Sequence, residues 1–238
     1  MKILITNDDG IESPALPRLA KWAQKLGDVT VVAPKTEQSG KSQAIDFRRQ
    51  VEIKQVVRDG IAMWAMDSTP ADCVRFGVRW LKAEYDLVIS GINRGLNLGH
   101  DMAYSGTIGA ILEAGRLGLP AIALSTDVDS FDNALSELDA VYGYITERRL
   151  FDYAGLYNVN IPSTPSRGMR ITRQGGTFYT DDFVSCGNDL YLQVGEPVTD
   201  TEGDLSVDID ALRSGYVSIT PLTATKTDLV AFDALKGT

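Results

Sequence analysis

Short apolar runs alternate with amphipathic segments along the first two thirds of the chain. Four runs rich in Val, Ile, Leu and Ala predict buried β-strands: residues 2–6, 28–33, 85–90 and 120–125. Four segments with apolar residues at helical spacing predict α-helices: residues 14–26, 69–81, 104–117 and 130–149. Apolar strands that alternate with helices form parallel sheets covered on both faces. The pattern therefore predicts an α/β fold with a mostly parallel sheet.

Two regions depart from this alternation. Residues 35–58 begin as a polar, irregular stretch and then alternate polar with apolar residues, which indicates a loop leading into a hairpin-like excursion. Later, short strands separated by turns replace the strand and helix pattern, and a last helix is predicted over 227–236. We therefore predict a core, residues 1–150, and a smaller antiparallel extension, residues 151–238. The two parts can also be counted as one domain.

Composition and charge exclude several classes of protein. With 44% hydrophobic and 23% charged residues, the chain is typical of globular proteins. The net charge of -9 argues against a nucleic-acid polymer or an anionic membrane as a partner, because such partners require a basic patch. The N-terminal MKILITNDDG is not typical of a signal peptide, and no window reaches the ~20 apolar residues of a membrane span. We expect a cytoplasmic protein without membrane contact.

Cysteine and histidine are scarce. Cys73 and Cys186 lie far apart and form no CxxC motif, so both are expected to be buried thiols. His100 is the single histidine, which disfavours a zinc site with nitrogen and sulfur ligands and also a Ser-His-Asp triad. His100 is predicted to be a loop residue.

Two adjacent carboxylates, Asp8 and Asp9, directly follow the first predicted strand. Such a pair is electrostatically unfavourable unless a cation lies between its members. An alternative is a solvated turn in which Asn7, Asp8 or Asp9 caps the following helix. The dipeptide alone leaves both interpretations open.

Further oxygen ligands follow two other predicted strands. Ser39 lies in the loop APKTEQSG, and Asn93 and Asn97 lie in SGINRGLN. Each loop by itself is compatible with ordinary turn chemistry. In a parallel sheet, however, ligands bind beyond the carboxyl ends of the strands, where these loops are expected to converge. Hydroxyl, amide and carboxylate oxygens suit a hard cation such as Mg²⁺ or Mn²⁺, and Ca²⁺ is also compatible.

The helix predicted after Tyr104 begins with Ser105, Gly106 and Thr107. The backbone N–H groups and the positive dipole end of a helix N-terminus attract phosphate, and hydroxyl groups add donors. Plain N-capping by Ser105 or Thr107 is the alternative, and it is compatible with phosphate binding. A cation faced by an anion-binding helix end is typical of phosphoryl transfer.

Seven groups of residues together resemble one known family. In chain order they are NDDG (7–10), AP with SG (33–34, 39–40), STPADCV (68–74), SGINRG with NLG (90–95, 97–99), YSGT (104–107), NVNIP (158–162) and GYVSITPL (215–222). This succession resembles the SurE family, the stationary-phase survival proteins, which are metal-dependent 5'-nucleotidases. The resemblance spans nearly the whole chain.

The resemblance implies a Rossmann-like core and one divalent cation per subunit, held by Asp8, Asp9, Ser39 and Asn93. It also implies hydrolysis of nucleoside 5'-monophosphates, with 3'-nucleotides and short polyphosphate tolerated. A homodimer or homotetramer with a swapped C-terminal hairpin or tail is implied as well. We expect Asp8 and Asp9 to be catalytic. The phosphate-binding candidates are Asn93, Asn97, Ser105, Gly106 and Thr107.

The sequence departs from the family pattern at two positions. Ser68 stands where the family usually has Gly before Thr-Pro, which could alter a turn. The Trp often found after Tyr191 is missing, which puts substrate contacts or assembly in doubt more than hydrolysis. Trp64, Trp80 and Tyr104 are interpreted as core or interface aromatics, so the base preference is not predicted.

Our hypothesis for the reaction is that the cation polarises a phosphoryl oxygen and lowers the pKa of a bound water, which Asp8 or Asp9 orients. Direct action of one aspartate as a base stays open. A haloacid-dehalogenase-type phosphatase is disfavoured because it needs DxD. A dinucleotide-dependent oxidoreductase is disfavoured because no GxGxxG follows the first strand. The alternative from another class is a non-catalytic nucleotide- or Mg²⁺-binding module.

Overall fold

The computed structural model describes residues 1–128, 131–199 and 203–237, and these residues contain eleven strands and six α-helices. The strands are β1 (Lys2–Thr6), β2 (Asp28–Pro34), β3 (Ile53–Arg58), β4 (Ile61–Met66), β5 (Leu87–Arg94), β6 (Ala121–Thr126), β7 (Leu156–Ile161), β8 (Met169–Ile171), β9 (Asp182–Gly187), β10 (Leu190–Val194) and β11 (Val217–Leu222). The helices are α1 (Ala15–Ala23), α2 (Pro70–Arg79), α3 (Gly106–Arg116), α4 (Phe131–Glu147), α5 (Asp208–Arg213) and α6 (Leu229–Leu235).

Nine of the described strands form one sheet in the order β3-β4-β2-β1-β5-β6-β7-β11-β8. The six strands from β4 to β7 pair in parallel. The edges differ, because β3 runs antiparallel to β4 and β11 runs antiparallel to β7. The prediction of an α/β fold with a mostly parallel, Rossmann-like sheet is confirmed.

Side chains that alternate along β1 explain why both faces of the sheet are covered. Ile3 and Ile5 point into a core built with α1 and α4, whereas Leu4 points into a second core built with α2 and α3. All three side chains are fully buried. A strand that is buried on both faces has a continuous apolar sequence, as KILIT does.

The region after residue 150 continues the sheet of the core. β7 pairs in parallel with β6, and β11 then returns antiparallel beside β7. Of the described strands, β9 and β10 alone stand apart, as a two-stranded antiparallel hairpin. Residue 130, predicted as the start of the fourth helix, lies outside the described residues. Within the described ranges no helix is long and apolar enough to cross a membrane.

One prediction about a single side chain is wrong. Cys73 is buried as expected, but Cys186 is exposed because β9 belongs to the hairpin, which no other part of the described chain covers. Trp80 is 71% exposed just after α2, so of the two predicted roles, core or interface, only the interface stays open as a prediction. Trp64 is half-buried and packs edge-on against Phe76, with 5.5 Å between the ring centroids.

A buried carboxylate, Glu113 of α3, ties three elements together. It accepts hydrogen bonds from Arg75 of α2 (3.1 Å), from Gln43 (3.0 Å) and from Arg116. Burial raises the pKa of Glu113, but the hydrogen bonds from Arg116, Gln43 and Arg75 outweigh it and hold the pKa below its ordinary value. The charged carboxylate therefore stabilises the packing of α2 against α3.

Replacing Glu113 with Gln is expected to lower the free energy of unfolding by about 2 kcal/mol at pH 7, because a buried, paired charge is lost. Since the folded pKa lies below the unfolded one, this contribution is present above pH 4.5 and is lost as the pH falls through the folded pKa. Urea denaturation of both proteins at pH 7 and at pH 3.5 (roughly one unit below the unfolded pKa) measures it. Glu84→Gln, at an exposed position, is the control. Equal stabilities at pH 7 would contradict the assignment.

Candidate active site

The turn after β1 places two carboxylates at the carboxyl edge of the sheet. Asn7 is fully buried and its Nδ2 donates to the carbonyl oxygen of Gly10 at 3.0 Å, which closes the turn around Asp8 and Asp9. Gly10 has φ +91, and a Cβ there would lie 3.0 Å from the backbone of Thr36. The turn therefore needs glycine, both for its conformation and for its close approach to the next loop.

The capping interpretation of the two aspartates is wrong. Helix α1 begins at Ala15 after Pro14, and no side chain caps it. Asp8 instead accepts a hydrogen bond from the hydroxyl of Thr107 in the first turn of α3. Asp9 accepts one from the backbone N–H of Arg94 at the end of β5, at 3.0 Å. The pair thus joins three elements at the sheet edge.

Burial dominates the electrostatics of this pair. Burial raises the pKa of Asp8 above its ordinary value, despite the hydrogen bond from Thr107. Burial, followed by the charge of Asp8, raises the pKa of Asp9 to about 6. Two carboxylates held together away from water are the condition that a bound divalent cation relieves.

The loop after β2 lies directly against the turn. The backbone N–H of Gln38 donates to the carbonyl oxygen of Asp8 at 2.7 Å. The hydroxyl of Ser39 donates to Oε1 of Glu37 at 2.8 Å. Because a serine oxygen that donates its proton keeps its lone pairs, Ser39 can still offer an oxygen to a cation.

A break in the β5–β6 register brings Asn93 to the same edge. The register shifts between Ser90 and Asn93, where the strand passes the end of β1. Nδ2 of Asn93 donates to the carbonyl oxygen of Gly95 at 2.8 Å, and so its Oδ1 is the atom left to act as a ligand.

Asn97 has a different environment from Asn93. It is buried, and its Nδ2 donates to the hydroxyl of Ser125 at 2.8 Å. Its backbone N–H donates to Asn160, and its carbonyl oxygen accepts from Asn158 and Asn160. These contacts place Asn97 in a network between β5, β6 and β7, so its predicted contact with phosphate stays a prediction.

The start of α3 lies so close to Asp8 that a side chain at Gly106 would not fit. Ser105 is the N-cap residue, and its hydroxyl oxygen accepts from the N–H of Ile108 at 3.2 Å. A Cβ on Gly106 would lie 2.9 Å from the Cβ of Asp8 and 3.2 Å from the carbonyl oxygen of Gln38. Glycine therefore allows the first turn of an eleven-residue helix, with its N–H groups, to approach the carboxylate pair.

The donor set fits a hard cation. Within the described ranges, no three His, Cys, Asp or Glu side chains are grouped so as to hold a metal ion. A cation at Asp8 and Asp9 would therefore need neutral oxygens, a kind of ligand that the hydroxyl of Ser39 and the side-chain carbonyl of Asn93 have.

Two cavities flank this arrangement. The first, of about 490 Å³, borders the pair through Asp9 and is also lined by Glu12, Ser13, Pro14, Glu37, Arg94 and Phe131. The second, of about 500 Å³, lies between the short 3-10 helix Gly99–Ala103 and the base of the β9–β10 hairpin. His100 and Tyr104 line this second cavity. His100 lies within the 3-10 helix and not in an irregular loop as predicted.

Comparison with known proteins identifies the family. Residues 3–181 match the family model described as Survival protein SurE. The chain belongs to the SurE family. A Thermus thermophilus protein named 5'-nucleotidase SurE 1 is 39% identical over 248 residues, which cover 100% of this chain and 97% of that protein. An Acinetobacter baumannii protein named 5'-nucleotidase SurE is 38% identical and is covered to 99%.

A solved SurE structure shares the fold as well. The crystal structure of the SurE protein from Aquifex aeolicus superposes with a TM-score of 0.83 at 31% sequence identity, covering 100% of this chain and 99% of that one. The family resemblance inferred from the motifs is therefore confirmed by both sequence and fold.

Sequence reasoning missed a carboxylate that supports the site in this member of the SurE family. Asp208 at the start of α5 is fully buried, and it accepts from the backbone N–H of Gly99 at 2.9 Å and of Gly175 at 2.8 Å. Gly99 lies in the segment that leads from Asn97 to Ser105. No sequence motif predicts this contact, because Asp208 lies 109 residues from Gly99 in sequence.

Replacing Asp208 with Asn is expected to lower kcat/KM by about tenfold. The NH2 group of asparagine cannot accept a hydrogen bond from a backbone N–H, so the hydrogen bond that holds the Gly99 segment is lost. Steady-state kinetics with AMP and amide hydrogen exchange at Gly99 measure the effect. Asp210→Asn in the same helix is the matched control, because Asp210 is also buried but accepts from Asp204 instead. Unchanged kinetics and unchanged exchange at Gly99 in Asp208→Asn would contradict this role.

Proposed function

We propose that this chain hydrolyses nucleoside 5'-monophosphates to nucleoside and phosphate. The observation that carries the proposal is the close approach of the start of α3 to Asp8: Thr107 donates to Asp8, and a Cβ on Gly106 would lie 2.9 Å from the Cβ of Asp8. This contact sets a cation-binding group directly against an anion-binding group. Relatives at 38–39% identity over nearly the full chain, which are named 5'-nucleotidases, support the same activity.

Asp8, Asp9, Ser39 and Asn93 would hold one divalent cation, with Mg²⁺ or Mn²⁺ favoured by the all-oxygen donor set. When bound, such a cation withdraws charge from a phosphoryl oxygen and makes a neighbouring water more acidic. The hydrogen bond from Thr107 fixes the orientation of Asp8. The N–H groups of the first turn of α3 receive the phosphate oxygens as negative charge develops on them.

The positions of the two aspartates suggest different roles. Asp8 is buried against α3, whereas Asp9 lines the 490 Å³ cavity. We therefore assign the orientation of the attacking water to Asp9. Water adds to phosphorus, the bond from phosphorus to the 5'-oxygen breaks, and the proton given up by water ends on the nucleoside oxygen.

A substrate panel tests this proposal. Phosphate release is measured with Mn²⁺ and with Mg²⁺ for 5'-AMP, 5'-GMP, 5'-CMP, 3'-AMP and tripolyphosphate. We expect release from the 5'-monophosphates. Release from 3'-AMP or tripolyphosphate would show that the chain also accepts the additional substrates that the family resemblance implies. Calorimetric binding of AMP without phosphate release would support the binding module instead.

We also propose that the chain forms a homo-oligomer, a dimer or a tetramer. Phe183, Tyr191 and Leu192 of the β9–β10 hairpin are more than half exposed. Helix α6 has no buried residue, although it carries Leu229, Val230, Phe232 and Leu235. Apolar side chains on both elements support their use in contacts between subunits. Light scattering of the full chain tests the oligomeric state.

A further inference from the structure

We propose that the second cavity receives the nucleoside half of the substrate, with the ring of Tyr104 stacked on its base. This cavity, of about 500 Å³, lies between the 3-10 helix Gly99–Ala103 and the base of the β9–β10 hairpin. Its volume falls within the range of roughly 300–1,000 Å³ that is typical of small-molecule sites. The inference rests on the proposed hydrolysis and gives a place to the part of the substrate that the carboxylates and the start of α3 do not bind.

The cavity adjoins the helix start to which we assign the phosphate. Tyr104 lines the cavity and directly precedes Ser105, the N-cap residue of α3. The Cα atoms of consecutive residues lie only about 3.8 Å apart. The wall of the cavity therefore begins one residue before the turn that receives the phosphate oxygens.

The direction of attack also favours this cavity over the first one. In phosphoryl transfer the attacking and leaving oxygens lie roughly in line, on opposite sides of phosphorus. We assign the orientation of the attacking water to Asp9, which lines the cavity of about 490 Å³ and not the second cavity. A water on the side of Asp9 places the nucleoside oxygen on the far side of phosphorus. The second cavity is thus the one left for the nucleoside.

Tyr104 presents an exposed ring on a fixed backbone. Its backbone N–H donates to the carbonyl oxygen of Asp101 at 3.0 Å, and its own carbonyl oxygen accepts from the N–H of Ser42 at 3.0 Å. The side chain is 64% exposed, so the ring does not belong to the core. Stacking of a base on such a ring changes affinity by roughly tenfold to a hundredfold, and it tolerates every base because each base has a π face.

The polar groups of the cavity suit an uncharged ligand that carries hydrogen-bond donors. Asp101 and Asp181 line it, and Nε2 of Gln193 donates to Oδ1 of Asp181 at 2.6 Å, which ties this carboxylate to the hairpin. An ionised carboxylate only accepts hydrogen bonds. The hydroxyl groups of ribose and the amino groups of the bases are matching donors. A neutral nucleoside also meets no charge repulsion from the two carboxylates.

Tyr104→Leu tests the stacking contact with AMP and ribose 5-phosphate, which share the phosphoryl group and the sugar but differ in the base. With saturating Mn²⁺, we expect kcat/KM for AMP to fall by roughly tenfold to a hundredfold, because the stacking contact is lost. The value for ribose 5-phosphate should stay within twofold of wild type. Most of the loss should appear in KM, since the base takes no part in the chemical step. Tyr104→Phe keeps the ring and should keep the wild-type ratio of AMP to ribose 5-phosphate.

A control variant and a binding measurement complete the test. Tyr153→Leu should keep the wild-type ratio, because Tyr153 is also exposed but lies outside the cavity lining. In an NMR titration, Tyr104→Leu should bind adenosine at least tenfold more weakly than wild type and Tyr104→Phe do. A ratio in Tyr104→Leu within twofold of wild type, or an unchanged affinity for adenosine, would overturn this inference alone. Wild-type protein that binds adenosine through Tyr104 but releases no phosphate from either substrate would contradict the proposed hydrolysis and support the cavity as the nucleoside site.

Discussion

Replacing Asp8 with asparagine is expected to lower phosphate release from AMP by at least about a thousandfold and to leave the chain folded. Asp8 is buried against the start of α3, with Thr107 donating to it. The variant removes one of the two negative charges that would hold the proposed cation. Asparagine keeps an oxygen that can accept from Thr107. Because burial already raises the pKa of Asp8, losing the charge should not reduce stability.

Three measurements on Asp8→Asn separate loss of the site from loss of the fold: the rate with AMP, Mn²⁺ affinity by calorimetry and the urea midpoint. Asp28→Asn is the control, because Asp28 is exposed at the opposite, amino end of β2. The control should keep both activity and Mn²⁺ affinity. If Asp8→Asn kept more than a tenth of wild-type activity, the assignment of Asp8 to the cation site would be wrong.

Replacing Gly106 with alanine is expected to lower kcat/KM by about a hundredfold. The new Cβ would lie 2.9 Å from the Cβ of Asp8 and 3.1 Å from its Oδ2, closer than such atoms normally approach. The first turn of α3 must then move away from the carboxylate pair. A displacement of roughly 1 Å between catalytic groups is enough for a loss of this size.

Gly143→Ala in α4 is the matched control for Gly106→Ala. A Cβ at Gly143 would have only Glu147 nearby, at 3.9 Å. This substitution should leave kinetics unchanged and raise stability by about 0.5–1 kcal/mol, because alanine favours the helix interior. Kinetics with AMP and thermal unfolding of both variants measure the effects. Wild-type kinetics in Gly106→Ala would show that the close approach of α3 to Asp8 is not needed.

The pattern of apolar residues predicted the sheet and the ends of β1 and β2 well, whereas β5 runs to Arg94, four residues past its predicted end. KILIT is buried on both faces, so its continuous apolar run and the polar residues that follow it show where β1 ends and place Asp8 just beyond that end. The same logic located Ser39 and Asn93 after β2 and at the end of β5. It could not decide between a cap and a cation site, because that depends on where α1 begins.

The supporting contacts could not be predicted, because they join segments far apart in sequence. The orientation of the Asn97 amide depends on Ser125, and the Gly99 segment depends on Asp208.

The most direct test of the central claim is phosphate release from AMP by protein stripped of metal, before and after Mn²⁺ is restored, for wild type and Asp8→Asn in parallel. The proposed cation site predicts that wild type is inactive when stripped, recovers with Mn²⁺ and is inactivated again by EDTA. It predicts that Asp8→Asn stays inactive throughout. Wild-type activity that survives complete chelation, or full recovery of Asp8→Asn with Mn²⁺, would contradict a hydrolytic centre built on this carboxylate pair.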